Sequence, residues 1–281
     1  MNWIDSHCHL TDLRIFDSRK TIIQEAEAQG ISFFMLGGVS PDEWSRQFQI
    51  AAEYPKKIGL CLGLHPYFAA HHEEEECEAA LDLLARKLGE LKRRPQSQLE
   101  SLSGGPLFAL GETGLDFRPP YVLGESREKQ IRCFEAQIEL SQVLSLPLVL
   151  HIVQAHEKAL TVYDFFGSSK GGGGLVHAFS GSLDIAEQWT RRGFLISVGG
   201  SVTYEKNQKL QHAVKHMPLE WLVIESDSPD QKPENWKKSL NEPSSLLDVA
   251  LKIAQLRGIT SQDVFELSRN NFKRVFGSSL N

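Results

Sequence analysis

The chain has 281 residues, of which 41% are hydrophobic and 23% are charged, and its formal net charge is −6 at pH 7. This composition is typical of globular proteins and excludes a protein that wraps nucleic acid by bulk positive charge. No apolar run approaches the roughly 20 residues that a membrane-spanning helix needs. We expect no membrane segment, and no signal peptide because a strand begins almost directly after Met1.

The cysteines indicate a reducing compartment. Cys8, Cys61, Cys77 and Cys133 are widely spaced and form no Cys-x-x-Cys pair, so a disulfide framework or a zinc knuckle is not expected. Reduced cysteines are typical of proteins in the cytoplasm or the nucleus, and we predict one of these locations.

Short apolar runs alternate with amphipathic segments along the whole chain. The predicted strands are Ile4–Leu10, Ile31–Gly38, Ile58–Leu64, Leu107–Leu110, Pro147–Ile152, Leu175–Phe179, Phe194–Val198 and Trp221–Asp227. The predicted helices are Asp17–Gln29, Pro41–Tyr54, Glu73–Arg93, Glu125–Leu144, one that ends at Phe166, Asp184–Arg191, Thr203–His216, Ser244–Arg257 and Ser261–Phe276. The polar segment Pro95–Pro106 is predicted to be a loop.

Alternation of this kind predicts parallel strands joined by right-handed helical crossovers. Eight such units in a chain of 281 residues favour an α/β fold of the (β/α)₈ TIM-like barrel type. An open, doubly wound sheet is the alternative. No shift in composition marks a domain boundary, so we predict one domain that covers residues 1–281.

The first predicted strand carries a His-x-His pattern. Side chains two residues apart on a strand point to the same side, so His7 and His9 can reach one metal ion. Alone, this pattern is weak, because two histidines can also be ordinary core or surface residues.

Residues of the types that bind metals lie at the ends of six predicted strands, including the first. They are His7 and His9 on the first strand, His65 on the third, Glu112 on the fourth, His151 on the fifth, His177 on the sixth and Asp227 on the eighth. The active site of a barrel lies at the carboxyl ends of its strands, so these side chains are expected in one mouth. Burying them together without partners would cost several kcal/mol each, and metal ions remove that penalty.

The expected donor set is larger than one tetrahedral zinc ion needs. Its members are His7, His9, Glu112, His151, His177 and Asp227. They suit two divalent ions with a carboxylate such as Glu112 between them, an arrangement that activates water and clamps the oxygens of an in-line displacement. Mixed nitrogen and oxygen ligands favour Zn²⁺, Mn²⁺, Co²⁺ or Ni²⁺ over Mg²⁺. The sequence does not choose among these metals.

Five short motifs occur in order, and together they contain His65 and all of these donors except His151. They are His7-Cys8-His9, Gly63-Leu64-His65-Pro66, Gly111-Glu112-Thr113-Gly114-Leu115-Asp116, His177-Ala178-Phe179-Ser180-Gly181 and Glu225-Ser226-Asp227-Ser228-Pro229. Together they resemble the TatD family of metal-dependent deoxyribonucleases, which belongs to the amidohydrolase-like barrels, and the animal members look most similar. The likeness covers Ile4 to about Phe276.

The resemblance implies roles for these residues. It implies two ion-binding sets that share one carboxylate: His7, His9, Glu112 and Asp227 for one ion, and Glu112, His151 and His177 for the other. It implies catalytic roles for Asp227, as general base, and for Glu112. It also implies cleavage of a DNA phosphodiester from a 3′ end, with His65 near the substrate phosphate. We expect the substrate to be single-stranded or frayed DNA, and the protein to be a monomer.

The chain departs from the family pattern after His151. Many relatives carry a polar or basic residue within the next few positions, and here only Gln154 is available for that role. Two other functions are the alternatives to a deoxyribonuclease, and the complete ligand set argues against the second. One is an amidohydrolase-type metal hydrolase of a small C–N, C–O or phosphoester substrate, and the other is a binding module that has kept the barrel.

Overall fold

The structure is a computed structural model that describes residues 2–93, 107–167 and 172–277. The predicted loop Pro95–Pro106 lies outside these residues. The strands are β1 Trp3–Cys8, β2 Ile31–Leu36, β3 Ile58–Leu62, β4 Leu107–Asp116, β5 Leu148–Val153, β6 Gly174–Val176, β7 Phe194–Val198 and β8 Leu222–Ile224. They form an eight-stranded sheet in which each strand neighbours the next one in chain order.

Helices alternate with these strands. They are α1 Arg19–Ala28, α2 Pro41–Glu53, α3 Pro66–His71, α4 Glu74–Arg93, α5 Ser126–Leu144, α6 His156–Phe166, α7 Leu183–Thr190, α8 Gln208–His216, α9 Leu246–Arg257 and α10 Ser261–Phe276. Short 3₁₀ helices lie at Phe16–Ser18, Gly200–Thr203, Leu219–Trp221 and Pro243–Ser245. The pairs β1–β2, β3–β4, β4–β5 and β7–β8 are parallel. The predicted (β/α)₈ fold class is confirmed.

The chain divides into two compact units. The first consists of Met1–Leu36 with Val176–Asn281, and the second of Gly37–Leu175. The first unit contains β1, β2, β7 and β8, and the second contains β3, β4 and β5. The assignment of residues 1–281 to one domain stays a prediction.

The strands are apolar along their length because both faces of a barrel sheet are buried, the outer face under helices and the inner face in the barrel interior. Every residue of β3 and β7 is buried, and in β2 only Ser32 is partly exposed. The largest fully buried side chains include Trp189 and Phe34 in the first unit and Phe134 in the second. In the described part of the chain, no helix is long and apolar enough to cross a membrane.

Two element boundaries near the predicted site differ from expectation. β4 continues through the Gly-Glu-Thr-Gly motif to Asp116, whereas the predicted strand ended at Leu110. The short helix α3 begins directly after His65, and it was not predicted. Pro66 favours that start because its fixed φ suits the first helical position.

Glycines explain why β4 can run beside β5 through this motif. Gly114 has φ +139° and pairs with His151, and a Cβ atom there would lie 2.1 Å from the His151 carbonyl oxygen. Gly111 has φ +154°, and its Cβ would lie 2.5 Å from the Val149 carbonyl oxygen. Any larger residue would push the two strands apart, so these glycines set the position of Glu112 between them.

Candidate metal centre

The first unit brings three histidines and two carboxylates together. We call this group, His7, His9, His177, Glu225 and Asp227, the β1–β8 cluster. The Nε2 atoms of His7 and His9 are 3.3 Å apart. Asp227 Oδ1 lies 3.4 Å from His9 Nε2 and 3.9 Å from His7 Nε2. His7 is fully buried and Asp227 is 6% exposed. Three donor atoms therefore converge in a site that is almost closed to solvent.

Backbone hydrogen bonds position this cluster. The Asp227 amide donates to the His7 carbonyl oxygen at 3.0 Å, and the His9 amide donates to the Ser228 carbonyl oxygen at 2.7 Å. Asp5, which is fully buried, accepts from the amide and the hydroxyl of Ser226 at 2.9 and 2.6 Å. The end of β1 and the segment after β8 are thus tied together on both sides of Asp227, which has φ +51°.

His177 and Glu225 complete the cluster. His177 Nδ1 lies 3.9 Å from Glu225 Oε1 and 4.0 Å from Asp227 Oδ1, and its ring is 4.2 Å from that of His7. Glu225 accepts from the Ala178 amide at 2.5 Å. The sequence reasoning did not single out Glu225, although its spacing of two from Asp227 matches that of His7 and His9 and could have revealed it.

The carboxylates of this cluster differ in their pKa. Burial raises the pKa of Glu225 to about 8. Burial also acts to raise the pKa of Asp227, but a hydrogen bond with His9 and the charge of His177 outweigh it and lower the pKa. Asp227 is therefore the ionised carboxylate at neutral pH.

The second unit holds His65, Glu112, Asp116 and His151, which we call the β4–β5 cluster. Glu112 Oε2 lies 3.6 Å from His65 Nε2 and 3.8 Å from His151 Nδ1. The rings of His65 and His151 are 4.2 Å apart. Glu112 is 1% exposed and Asp116 is fully buried.

Hydrogen bonds fix which nitrogen of each ring carries the proton. The Tyr67 amide donates to His65 Nδ1 at 3.0 Å, so a neutral His65 has its proton on Nε2, which faces Glu112. His151 Nε2 lies 3.1 Å from Asp116 Oδ2. Asp116 is ionised, because hydrogen bonds from His151 and Arg118 outweigh its burial and hold its pKa well below the usual range.

It follows that the two histidines of this cluster offer opposite chemistry. His151 donates through Nε2 to Asp116 and keeps the lone pair of Nδ1 for an ion, as metal-bound histidines commonly do. His65 presents an N–H group instead of a lone pair. It is suited to donate a hydrogen bond and not to bind a metal.

Two buried glutamines of helix α5 support this cluster. Gln137 accepts from the Leu64 amide at 2.8 Å and donates to the Leu64 carbonyl at 3.0 Å, directly before His65. Gln130 accepts from the Asp116 amide at 2.8 Å and donates to the Tyr121 carbonyl at 2.8 Å. Both glutamines are fully buried, so each satisfies backbone groups that no water could reach.

Each of the two units contributes several of the predicted site residues. His7, His9, His177 and Asp227 lie together in the first unit, and His65, Glu112 and His151 lie together in the second. Gln154, the predicted substrate contact, is exposed after β5 with φ +53°. The sharing of Glu112 by two ions and the role of Gln154 stay predictions.

The β1–β8 cluster fits a divalent ion by its distances. A tetrahedral ion with bonds of about 2.0–2.1 Å separates its ligand atoms by about 3.3–3.4 Å. The His7–His9 and His9–Asp227 separations of 3.3 and 3.4 Å match this value, and the third separation, between His7 and Asp227, is longer at 3.9 Å. The group His65, Glu112 and His151 also has its donor atoms within 4.8 Å of one another, and there His65 is the member whose proton argues against ligation.

Comparison with known proteins decides the family. A family model described as TatD related DNase matches residues 4–277. The chain belongs to this family. The predicted enzyme class, a metal-dependent hydrolase acting on ester bonds, is confirmed with it.

Relatives of the family match the chain over nearly its full length. The Bacillus subtilis protein named "Uncharacterized metal-dependent hydrolase YabD" is 28% identical over 97% of this chain and 98% of its own length. The human "Deoxyribonuclease TATDN3" is 28% identical over 97% of this chain and 94% of its own length. The crystal structure of the TatD homologue YjjV from Escherichia coli superposes with a TM-score of 0.83 at 26% identity, covering 98% of this chain and 97% of that one.

Proposed function

We propose that this chain is a deoxyribonuclease that hydrolyses DNA phosphodiester bonds, removes nucleotides from a 3′ end and uses two divalent ions. The observation that carries the proposal is the convergence of His7, His9 and Asp227 at the spacing of a metal's ligands. Its support is the membership in the TatD related DNase family and the name of the human relative, a deoxyribonuclease.

The residues present fit the two ions. His7, His9 and Asp227 would hold one ion, His151 and His177 would hold the other, and Glu112 would be the shared carboxylate that the family resemblance implies. When bound, the ions supply Lewis-acid stabilisation of the phosphate's charge and lower the pKa of water. Their identity is one of Zn²⁺, Mn²⁺, Mg²⁺, Co²⁺ or Ni²⁺.

The chain's own groups then have distinct tasks. Asp227, ionised at neutral pH, accepts the proton of the attacking water as general base. His65 donates from Nε2 to a phosphate oxygen, because its Nδ1 is committed to the Tyr67 amide. Asp116 keeps His151 in the orientation that turns Nδ1 towards Glu112.

The net charge of −6 favours a substrate contacted at few phosphates. We infer single-stranded or frayed DNA ends as the substrate, a monomeric enzyme and a cytoplasmic or nuclear location. DNA affinity should therefore show a shallow dependence on salt, with a slope of a few phosphate contacts. A slope as steep as a repressor's would contradict this.

The test is cleavage of a labelled single-stranded oligonucleotide by metal-stripped protein, with Mg²⁺, Mn²⁺, Zn²⁺, Co²⁺ and Ni²⁺ restored in turn. We expect stepwise shortening from the 3′ end that needs metal and is lost in Asp227→Ala. A 5′-labelled and a 3′-labelled substrate give the polarity. Protein that binds two ions and leaves DNA intact would overturn the proposal and favour a small phosphoester or amide-like substrate.

A further inference from the structure

An aromatic pair lies beside the β4–β5 cluster and has no task in the chemistry described so far. The rings of Tyr67 and Tyr121 stack with centroids 4.0 Å apart and an angle of 19°. Tyr67 also meets the ring of His65 at 4.2 Å and that of His151 at 5.8 Å. Tyr67 therefore lies between these two histidines, which it meets edge-on, and the ring of Tyr121, on which it stacks.

Both tyrosines are partly exposed, and the exposed side chain of Leu123 follows. One face of Tyr121 lies on Tyr67, and the edge of His71 approaches at 5.7 Å. A half-exposed ring supported from behind by a second ring is the kind of surface on which proteins stack single-stranded bases.

A guanidinium group stands at the same place. Arg118 bonds to Asp116 through Nε and Nη2, and its Nη2 also donates to the Tyr67 hydroxyl at 2.8 Å. Its side chain is 41% exposed. Within the described ranges, no acceptor binds its Nη1 group, so Arg118 holds the stack and still has a charged donor for a ligand.

The segment that carries these groups is held in place before any ligand arrives. The Tyr121 carbonyl accepts from the buried Gln130 amide and from the Ser126 hydroxyl, both at 2.8 Å. The Tyr121 amide donates to the Arg118 carbonyl at 2.9 Å. A pre-positioned segment loses little conformational freedom on binding, which favours a binding role over a merely exposed loop.

We propose that Tyr67, Arg118 and Tyr121 form a nucleotide subsite. The free face of Tyr121 stacks on the base of the terminal nucleotide, and Arg118 Nη1 binds a backbone phosphate. The subsite thereby supplies the cationic contact that the sequence lacks directly after His151, because β4–β5 pairing brings Phe117, the neighbour of Arg118, against Val153. This proposal rests on the proposed DNA substrate, and it assigns to that substrate an unpaired terminal base.

Binding without turnover tests the stacking. In EDTA, fluorescence anisotropy would compare an eight-residue oligo-thymidine with the same strand carrying an abasic 3′-terminal nucleotide. We expect the intact strand to bind about tenfold more tightly than the abasic one, in line with the usual strength of base–aromatic stacking. Tyr121→Leu should abolish this preference and Tyr121→Phe should keep it. Phe165→Leu, which removes an exposed aromatic ring of α6, is the matched control.

A spectroscopic measurement on the unaltered protein guards against a variant that fails to fold. A strand with 2-aminopurine at its 3′ end should lose fluorescence on binding, because stacking on an aromatic ring quenches it. Full retention of fluorescence in the complexes of both a 3′-labelled and a 5′-labelled strand would overturn the subsite.

Salt dependence tests Arg118. Arg118→Met should weaken binding of both strands alike and reduce the salt slope by about one phosphate contact, and Arg118→Lys should restore the slope. Arg132→Met, which removes an arginine paired with Glu74 on the surface, is the control. An unchanged slope in Arg118→Met would overturn the phosphate contact.

These outcomes separate the two proposals. Base-dependent binding without metal-dependent cleavage would keep the subsite and overturn the nuclease. Quenching only of a 5′-terminal 2-aminopurine would keep the subsite and overturn the proposed 3′ polarity. Cleavage without any base preference would keep the nuclease and overturn the subsite.

Discussion

The β1–β8 cluster and the β4–β5 cluster contain the same kinds of side chain in different arrangements. In the first, His7, His9 and Asp227 approach one another directly, with two separations of 3.3 and 3.4 Å. In the second, the ring of His65 is oriented by a backbone amide and that of His151 by Asp116. The shortest distance between a histidine and Glu112 there is 3.6 Å.

The difference shows that a histidine beside a carboxylate is not automatically a metal ligand. Whether the histidine can bind a metal depends on the hydrogen-bond partner of its other ring nitrogen. A partner that accepts a proton, such as Asp116, leaves a lone pair for an ion, and a partner that donates, such as the Tyr67 amide, leaves an N–H group. The β1–β8 cluster therefore offers donor atoms that could hold an ion, and the β4–β5 cluster combines one such donor with a hydrogen-bond donor.

Removal of Asp227 should have the largest effect. Asp227→Ala deletes the proposed ion ligand and the proposed proton acceptor at once, so we expect turnover to fall by about a thousandfold or more. Phosphodiesterase assays with metal in excess, together with metal analysis by mass spectrometry, provide the measurement. Asp17→Ala, a change of an exposed residue, should behave like the parent. Parent-like turnover in Asp227→Ala would remove Asp227 from the mechanism.

Removal of each histidine of the β4–β5 cluster should separate ligand from donor. His151→Ala should lose about one metal equivalent per chain, because we propose its Nδ1 as a ligand. His65→Ala should keep its metal content and lose about a hundredfold in turnover, the usual effect of deleting one donor to a developing charge. Metal content after dialysis and turnover are measured on both variants. If His65→Ala loses metal as His151→Ala does, the proton assignment of His65 is wrong.

Loss of the glutamine behind His65 should cost stability. Gln137→Leu leaves the amide and the carbonyl of Leu64 without their partner in a buried place, which destabilises by about 2–4 kcal/mol. Urea unfolding gives the free energy. Gln142→Leu, on the same helix but only partly buried, should cost less. An equal loss in both variants would show that burial of Gln137 has no special effect.

The smallest effect concerns the arginine beside the β1–β8 cluster. Arg14 is bound by Asp12 and Asp230 together, whereas Arg118 is bound by one carboxylate. Arg14→Met should therefore change the salt slope of DNA binding less than Arg118→Met does, and stability by less than about 1 kcal/mol. A larger slope change in Arg14→Met would contradict the comparison.

The ion pair of Arg14 with Asp12 predicts a weak pH dependence of the free energy of unfolding. Burial acts to raise the pKa of Asp12, but the hydrogen bonds of Arg14 outweigh it and lower the pKa. A carboxyl whose pKa is lower in the folded state stabilises the fold above its unfolded pKa and loses that effect as the pH falls. The stability difference between parent and Arg14→Met should thus shrink as the pH falls below about 4.

The sequence by itself determined the order of elements and the main donors. Apolar runs that alternate with amphipathic segments specify parallel strands and crossover helices, and the expected helix Ser261–Phe276 is found with the same bounds. The predicted donors were recognisable because a barrel collects the carboxyl ends of its strands at one edge. His7 and His9 follow from strand periodicity alone.

Tertiary structure decided which of these groups act together and in what form. The proton on His65 depends on a turn of helix α3 that the strand pattern did not reveal. Arg118 and Tyr121 stand near His151 because the glycines of β4 allow that strand to continue beside β5. Such features depend on strand register and on hydrogen bonds between residues that are distant in sequence, and hydrophobic periodicity carries no information about either.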